Sequence, residues 1–356
     1  MPLPDEESAP VRLTSLAHGG GCGCKIAPAV LERILAQATR GLVPPELLVG
    51  TETRDDAAVW KLDDERAIVA TTDFFMPIVD DPFDFGRIAA TNALSDVWAM
   101  GGTPLFALAL VGMPVGKLPV ETIGRILAGG EEACRAVNVP IAGGHTIDSI
   151  EPIYGLVAIG LVDPRRVGRN AGARPGDLLV LGKPLGTGVL GAALRKDRIS
   201  SHEYEAMIQS TTRPNTPGAA LARLDGVHAL TDVTGFGLLG HLLEVCRGSG
   251  VAARIDFPRL PLLPGVVEHA REGRVTGASA RNWESCADQV ELAPGLGDVE
   301  RAVLADPQTS GGLLVACAAD VAAEVVDLFR REGFSAACIV GEVVRGAPRV
   351  VVGSGA

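Results

Sequence analysis

An octapeptide near the start of the chain, His18-Gly19-Gly20-Gly21-Cys22-Gly23-Cys24-Lys25, places two thiols, an imidazole and an ammonium on a backbone with four glycines. Glycine loses more conformational entropy on ordering than any other residue, so the stretch is expected to be mobile and able to approach a ligand closely. The thiolate, not the thiol, attacks electrophiles and binds soft elements, and a neighbouring ammonium favours it. Cys22 and Lys25 are therefore the candidate reactive pair. The bland alternative is a Gly-rich tether with incidental cysteines. A zinc half-site lacks its second half, and a Cys22–Cys24 disulfide would meet the required geometry only with strain.

Five acids, Asp56, Asp73, Asp96, Asp148 and Asp232, stand at or near the ends of apolar segments. Singly, each reads as a cap or turn residue. Their recurrence beside Gly-rich turns suits a phosphate-bearing substrate if Mg2+ bridges carboxylates to phosphates while backbone amides cradle the remaining oxygens. Other nucleotide signatures fail. There is no Gly-x4-Gly-Lys-Ser/Thr loop. Gly-x-Gly-x-x-Gly occurs at Gly186-Gly188-Gly191 and at Gly235-Gly237-Gly240, but residues 195–212 are polar and strandless where a dinucleotide fold wants its next strand. No Gly-x-Ser-x-Gly elbow supports a serine hydrolase.

A net charge of -11 over 356 residues argues against a nucleic-acid footprint. The acidic N-terminus lacks the basic and apolar regions of a signal peptide. Seven scattered cysteines read as free thiols of a reducing cytoplasm rather than a disulfide framework. The longest uncharged run, residues 97–116, is broken by Gly101, Gly102, Pro104 and Pro114, and reads as buried core, not a membrane span.

The elements that must position these groups alternate. A helix is expected over 29–38, a strand leading from 52–60, a strand over 67–72 ending on Asp73, and a helix over 84–100 with Asn92 and Asp96 on one face. Then come a strand at 105–111, a helix at 120–137, a strand at 139–142 running into 143–148, and a strand at 153–162. After a Gly/Pro-punctuated junction at 163–177 follow a strand at 178–181, a helix at 189–195, a segment through Asp232 into a helix ending at 246, and a loop at 306–312 before a strand at 313–317. The alternation implies mixed α/β layers.

The motifs at 18–25, 53–58, 71–77, 91–102, 142–148, 231–241 and 306–314, in this order, resemble selenophosphate synthetases (selenide, water dikinases). The later motifs belong to the wider superfamily of aminoimidazole-ribonucleotide-synthetase-like ATP enzymes, and Gly-Cys-Gly-Cys-Lys singles out the selenium branch. The resemblance implies a two-domain α/β fold: a mobile N-terminal segment with a docking helix (1–50), an ATP/Mg-binding and dimerisation domain (51–165) and a C-terminal α/β domain (166–356). It implies conversion of ATP, selenide and water to selenophosphate, AMP and orthophosphate, with Mg2+ required and K+ stimulatory. Carried over residue by residue, Cys22 is the essential thiol and Lys25 the cation that meets the transferring phosphate. Asp56, Asp96 and Asp232 become magnesium ligands. Thr53, Arg54, Asp55, Asp73, Gly144, His145 and Thr146 become nucleotide contacts, joined by Lys25 and Asp96. A homodimer and a selenium-delivery partner are further implications; a chalcogen carrier or another ATP-dependent synthetase of the superfamily are the competing readings.

Overall fold

The computed structural model describes residues 11–26, 28–35, 37, 42–51 and 55–355. After α1 (Pro28–Leu35) and β1 (Leu47–Val49), β2 (Ala58–Lys61) and β3 (Ala67–Phe75) form with buried residues alternating along β3, the period that puts one strand face on a core. Helix α2 (Pro82–Ala99) starts where Pro82 follows Asp81, whose side chain accepts the Asp84 N–H. It is buried along nearly its whole length and ends before Gly101, where φ is +75°. Strand β4 (Thr103–Met113), helix α3 (Val120–Ala136), β5 (Ile141–Asp148) and β6 (Ile153–Val162) complete the first half. The sheet order is β1-β2-β3-β6-β4-β5, and β4 and β5 run parallel because α3 carries the chain back between them.

The second half contains β7 (Leu178–Leu181), α4 (Thr187–Arg195), α5 (Ser201–Thr211), α6 (Gly218–Leu221), β8 (Val227–Asp232), α7 (Gly237–Ser249) and β9 (Ala252–Asp256). It continues through α8 (Val266–Arg271), α9 (Gly277–Cys286), β10 (Val290–Leu292), α10 (Asp298–Leu304), β11 (Leu313–Cys317), α11 (Ala322–Arg331), β12 (Cys338–Val344) and β13 (Val350–Gly353). The strands order as β10-β13-β9-β12-β7-β11-β8. Apolar residues of α7 pack one core against this sheet, and Val325, Val326 and Phe329 of α11 pack another with Val180, Leu230 and Val315. Among the described residues no helix is long and apolar enough to cross a membrane.

Several elements differ from expectation. Strand β3 runs two residues past Asp73, because Phe74 and Phe75 continue the ladder opposite Gly155 and Tyr154. Strand β5 passes through Gly143 and Gly144 instead of stopping before them, held by β4. The polar stretch after Arg195 has no strand but does hold α5, started by a reciprocal Ser200/Glu203 capping box.

Candidate active site

Three side chains of α2 carry the centre of the site. Asn92, Ser95 and Asp96 lie three and four residues apart and so share one helix face. That face meets the ends of strands from both halves. Asp73 comes from β3, and Asn92 Nδ2 donates to Asp73 Oδ2 at 2.6 Å. Thr71, two residues earlier on the same strand face, donates its hydroxyl to Asp96 Oδ2 at 2.5 Å. Asp232 ends β8, and Ser95 donates to its Oδ2 at 2.5 Å while Asn215 donates to Ser95 at 2.7 Å. Asp56, just before β2, accepts from the Thr231 hydroxyl at 3.0 Å.

The loop at residues 306–312 arrives beside Asp232 because β11 pairs with β8, with Leu313 opposite Asp232. Its close approach is possible because Gly311 has no side chain: a Cβ there would lie 1.8 Å from the Val233 carbonyl oxygen. Ser310 adopts a left-handed φ of +50°. Its N–H donates to Asn92 Oδ1 at 2.7 Å and its carbonyl accepts from buried Lys183 Nζ at 2.8 Å. Burial lowers the Lys183 ammonium to about 7. Asp306, raised to about 7 by burial, accepts the first amides of α4 from Gly188 and Val189 at 2.9 and 3.2 Å.

Onto this floor the Gly-rich stretch is docked. Cys22, only 1% exposed, donates its thiol to Asn92 Oδ1 at 3.2 Å, and its N–H donates to Thr309 Oγ1 at 3.0 Å. Gly21 makes the seat: its φ is +54°, and a Cβ would sit 2.2 Å from Thr309 Oγ1. The stretch expected to be mobile is thus held in contact with both halves. Lys25 Nζ lies 3.9 Å from Asp73 Oδ2 and 6.0 Å from the Phe236 ring centroid, with its side chain still 38% exposed. Asp73 holds this ammonium above its ordinary value. Lys25 does favour a Cys22 thiolate, as the sequence suggests, but burial, reinforced by Asp73, pushes the thiol well above its usual value and Lys25 offsets only part of that.

The acids crowd one another. Burial, then Asp232 and Asp96, push Asp56 well above the usual carboxylate range. Burial, then Asp232 and Asp73, do the same to Asp96. Burial raises Asp232 against the lowering effect of the Ser95 hydroxyl. Asp56 Oδ2 is buried with no hydrogen-bond partner. These are groups short of positive charge, which fits a divalent cation. Among the described residues no three His, Cys, Asp or Glu side chains close into a ready-made metal cage. Mg2+ needs none, since it keeps waters and shares its ligands with phosphates.

Not every expected site residue is brought here. Thr53 and Arg54 lie outside the described residues. Asp55 accepts the Asn170 N–H at 2.7 Å, tying the first half to the start of the second. Gly144, His145 and Thr146 lie on β5, the exposed edge of the first sheet, and so does Asp148. Among the described residues no hydrogen bond joins them to the aspartate cluster. His18 pairs with Glu151 through Nδ1 at 2.9 Å. The residues that sequence reasoning missed are the ones that connect: Ser95, Thr309, Ser310 and Lys183, with Asn92 noted only as a neighbour of Asp96. The spacing of Asn92, Ser95 and Asp96 was the available signal.

The N-terminal domain of AIR synthase related proteins matches residues 54–162, and the C-terminal domain of the same proteins matches residues 174–353. The chain is 62% identical to a protein of Dechloromonas aromatica named selenide, water dikinase, over 98% of this chain and all of that one. It is also 62% identical to a protein of the same name from Pseudomonas straminea, over 96% of each. Among solved structures, thiamine-monophosphate kinase from Stenotrophomonas maltophilia superposes with a TM-score of 0.63 at 23% identity, over 91% of this chain and 95% of that one, a likeness of fold.

Proposed function

Because the chain belongs to the selenide, water dikinase family, with both AIR synthase related domains, we propose that it forms selenophosphate, AMP and orthophosphate from ATP, selenide and water. The observation that supports this most is the joining of Cys22 and Lys25 to the acids through Asn92 and Asp73. A soft-element thiol and a phosphate-seeking cation thereby face the same buried carboxylates.

Asp56, Asp96 and Asp232 are the groups that would hold Mg2+, which when bound cancels charge on the triphosphate. Lys25, kept protonated by Asp73, offers an ammonium to a transferring phosphoryl group. Asn92 fixes where the Cys22 sulfur points, and the docked glycines keep water from it.

We assign residues 51–165 to nucleotide and subunit contacts and, through Asp56 and Asp96, to metal, and 166–356 to the complementary wall, which adds Asp232 to the metal site. Gly144, His145 and Thr146 fit a nucleotide role if β5 meets a second copy of the chain. The edge strand is exposed along nearly its whole length, and its Ile147 is 57% exposed, which supports a homodimer through this edge. Ile147→Lys is expected to convert a dimer to a monomer in sedimentation; an unchanged mass would place the contact elsewhere. All seven cysteines are free, which supports a reducing, cytoplasmic setting. K+ stimulation and a selenium-delivery partner carry over from the family.

Phosphorus NMR of the protein with ATP, Mg2+ and selenide tests the reading. Equal growth of selenophosphate, AMP and orthophosphate is expected. Hydrolysis that stops at ADP would defeat it.

A further inference from the structure

On the far side of the docked Gly-rich stretch from the aspartates lies a cavity of about 380 Å³, walled by Cys24, the loop glycines and the first residues of α9. Among the described residues its charged lining is all of one kind. Arg195, Lys196 and Arg281 face it with His18, and no described Asp or Glu lines it, in a chain whose net charge is -11. Glu151 stays outside the lining, bonded to His18. Arg195 is spent in part on the loop carbonyls of Ala17 and Gly19, while Arg281 reaches the Gly23 carbonyl only at 3.4 Å and Lys196 the Gly273 carbonyl only at 3.5 Å. The latter two therefore keep most of their charge for a visitor.

One residue ties the cavity wall to the loop that seats the buried thiol: Thr309 lines the cavity, and its hydroxyl accepts the Cys22 N–H at 3.0 Å. An anion held against Cys24 would thus sit two residues along the loop from Cys22, in a chamber with no described carboxylate in its lining.

Building on the proposed activity, we propose that this pocket is the access site for the anionic chalcogen substrate, hydroselenide, which it concentrates beside Cys24 before the loop passes it inward. An aspartate-lined approach would repel an anion; a cationic chamber in an acidic protein draws it in. Hydroselenide is the anion that the proposed reaction consumes, and orthophosphate, which it releases, is the competing occupant that the test separates.

The test is the charge reversal Lys196→Glu with Arg281→Glu, both at exposed positions. The KM for selenide, from AMP release, is expected to rise about ten-fold, and its dependence on ionic strength to flatten. Affinity for Mg-ATP, measured by titration calorimetry, should hold. Independently of turnover, Cys24 labelling is followed by peptide mass spectrometry with iodoacetate and with iodoacetamide. The anionic reagent's advantage over the neutral one should fall several-fold in the variant. An unchanged KM for selenide overturns the proposal, and so does a variant in which only inhibition by orthophosphate weakens. Wild-type protein that makes no selenophosphate would defeat the functional reading instead, and the labelling ratio would still decide whether the pocket draws anions.

Discussion

Replacing Asn92 tests whether one buried amide seats the thiol. Its Oδ1 accepts the Ser310 N–H at 2.7 Å and the Cys22 thiol at 3.2 Å, and its Nδ2 donates to Asp73 at 2.6 Å. Alanine leaves the Ser310 amide unpaired at a cost of about 1–3 kcal/mol and removes a charge-assisted bond from Asp73 of about 1.5–3 kcal/mol. Water entering the vacated space recovers part of this, so the net loss expected is about 2–4 kcal/mol. Asn92→Asp is the sharper probe, because it keeps the shape and the acceptor but sets a second carboxylate against Asp73. Two charges 2.6 Å apart at an effective dielectric of about 20 repel by about 6 kcal/mol, so the pair holds on to one proton. That proton restores the missing donor when the solution is acidic. The native variant then binds more protons than the unfolded chain, and its stability falls as pH rises. Urea unfolding by circular dichroism should therefore put Asn92→Asp well above Asn92→Ala at about pH 5 and below it at about pH 8. Iodoacetamide should label Cys22 faster in Asn92→Ala, which unseats the thiol. An alanine variant within about 1 kcal/mol of wild type, or an aspartate variant indifferent to pH, would refute the reasoning.

Lys183→Met should abolish a pH dependence that the wild type has. With its folded value lowered to about 7, Lys183 is neutral in the native state and charged in the unfolded state just above that pH, so between about pH 7 and about pH 8, before the buried thiols begin to ionise in the unfolded chain, wild-type stability should rise relative to Lys183→Met by up to about 1.4 kcal/mol per pH unit. A difference between the two profiles that stays flat over that window would count against it. Gly21→Ala places a methyl on Thr309 and should expose Cys22 to alkylation and cut selenophosphate formation at least ten-fold while leaving ATP binding in place, as titration calorimetry would reveal. Asp56→Asn should raise the melting temperature of the metal-free protein, because it removes one of several mutually repelling buried carboxylates, and shrink the further rise given by Mg-ATP. If both shifts match wild type, Asp56 is no ligand.

What was legible in the sequence follows from how local each cause is. Strands β6 and β7 have the expected limits because apolar runs between turn residues specify them alone. Asp56, Asp73, Asp96 and Asp232 could be grouped because each ends or interrupts an apolar segment, whereas Asp148, placed by the same criterion, lies on an exposed edge. The Asn92 amide was beyond reach because its partners, Cys22 and Ser310, are 70 and 218 residues away. The state of the thiol was hidden for a related reason. Lys25 is its neighbour along the chain, but burial, which only the tertiary fold supplies, outweighs it. The cationic pocket draws its charged residues from three distant stretches and leaves no local trace.

Helix α2 belongs to the first sheet by chain order, yet Ser95 bonds to Asp232 and Asn92 to the Ser310 amide across the division between halves. Pulling the halves apart would leave these groups dry and unpaired, so heat should melt both in a single calorimetric step. For the same reason a chimera made by exchanging one half with that of a distant relative would need both ends of each bond to travel together.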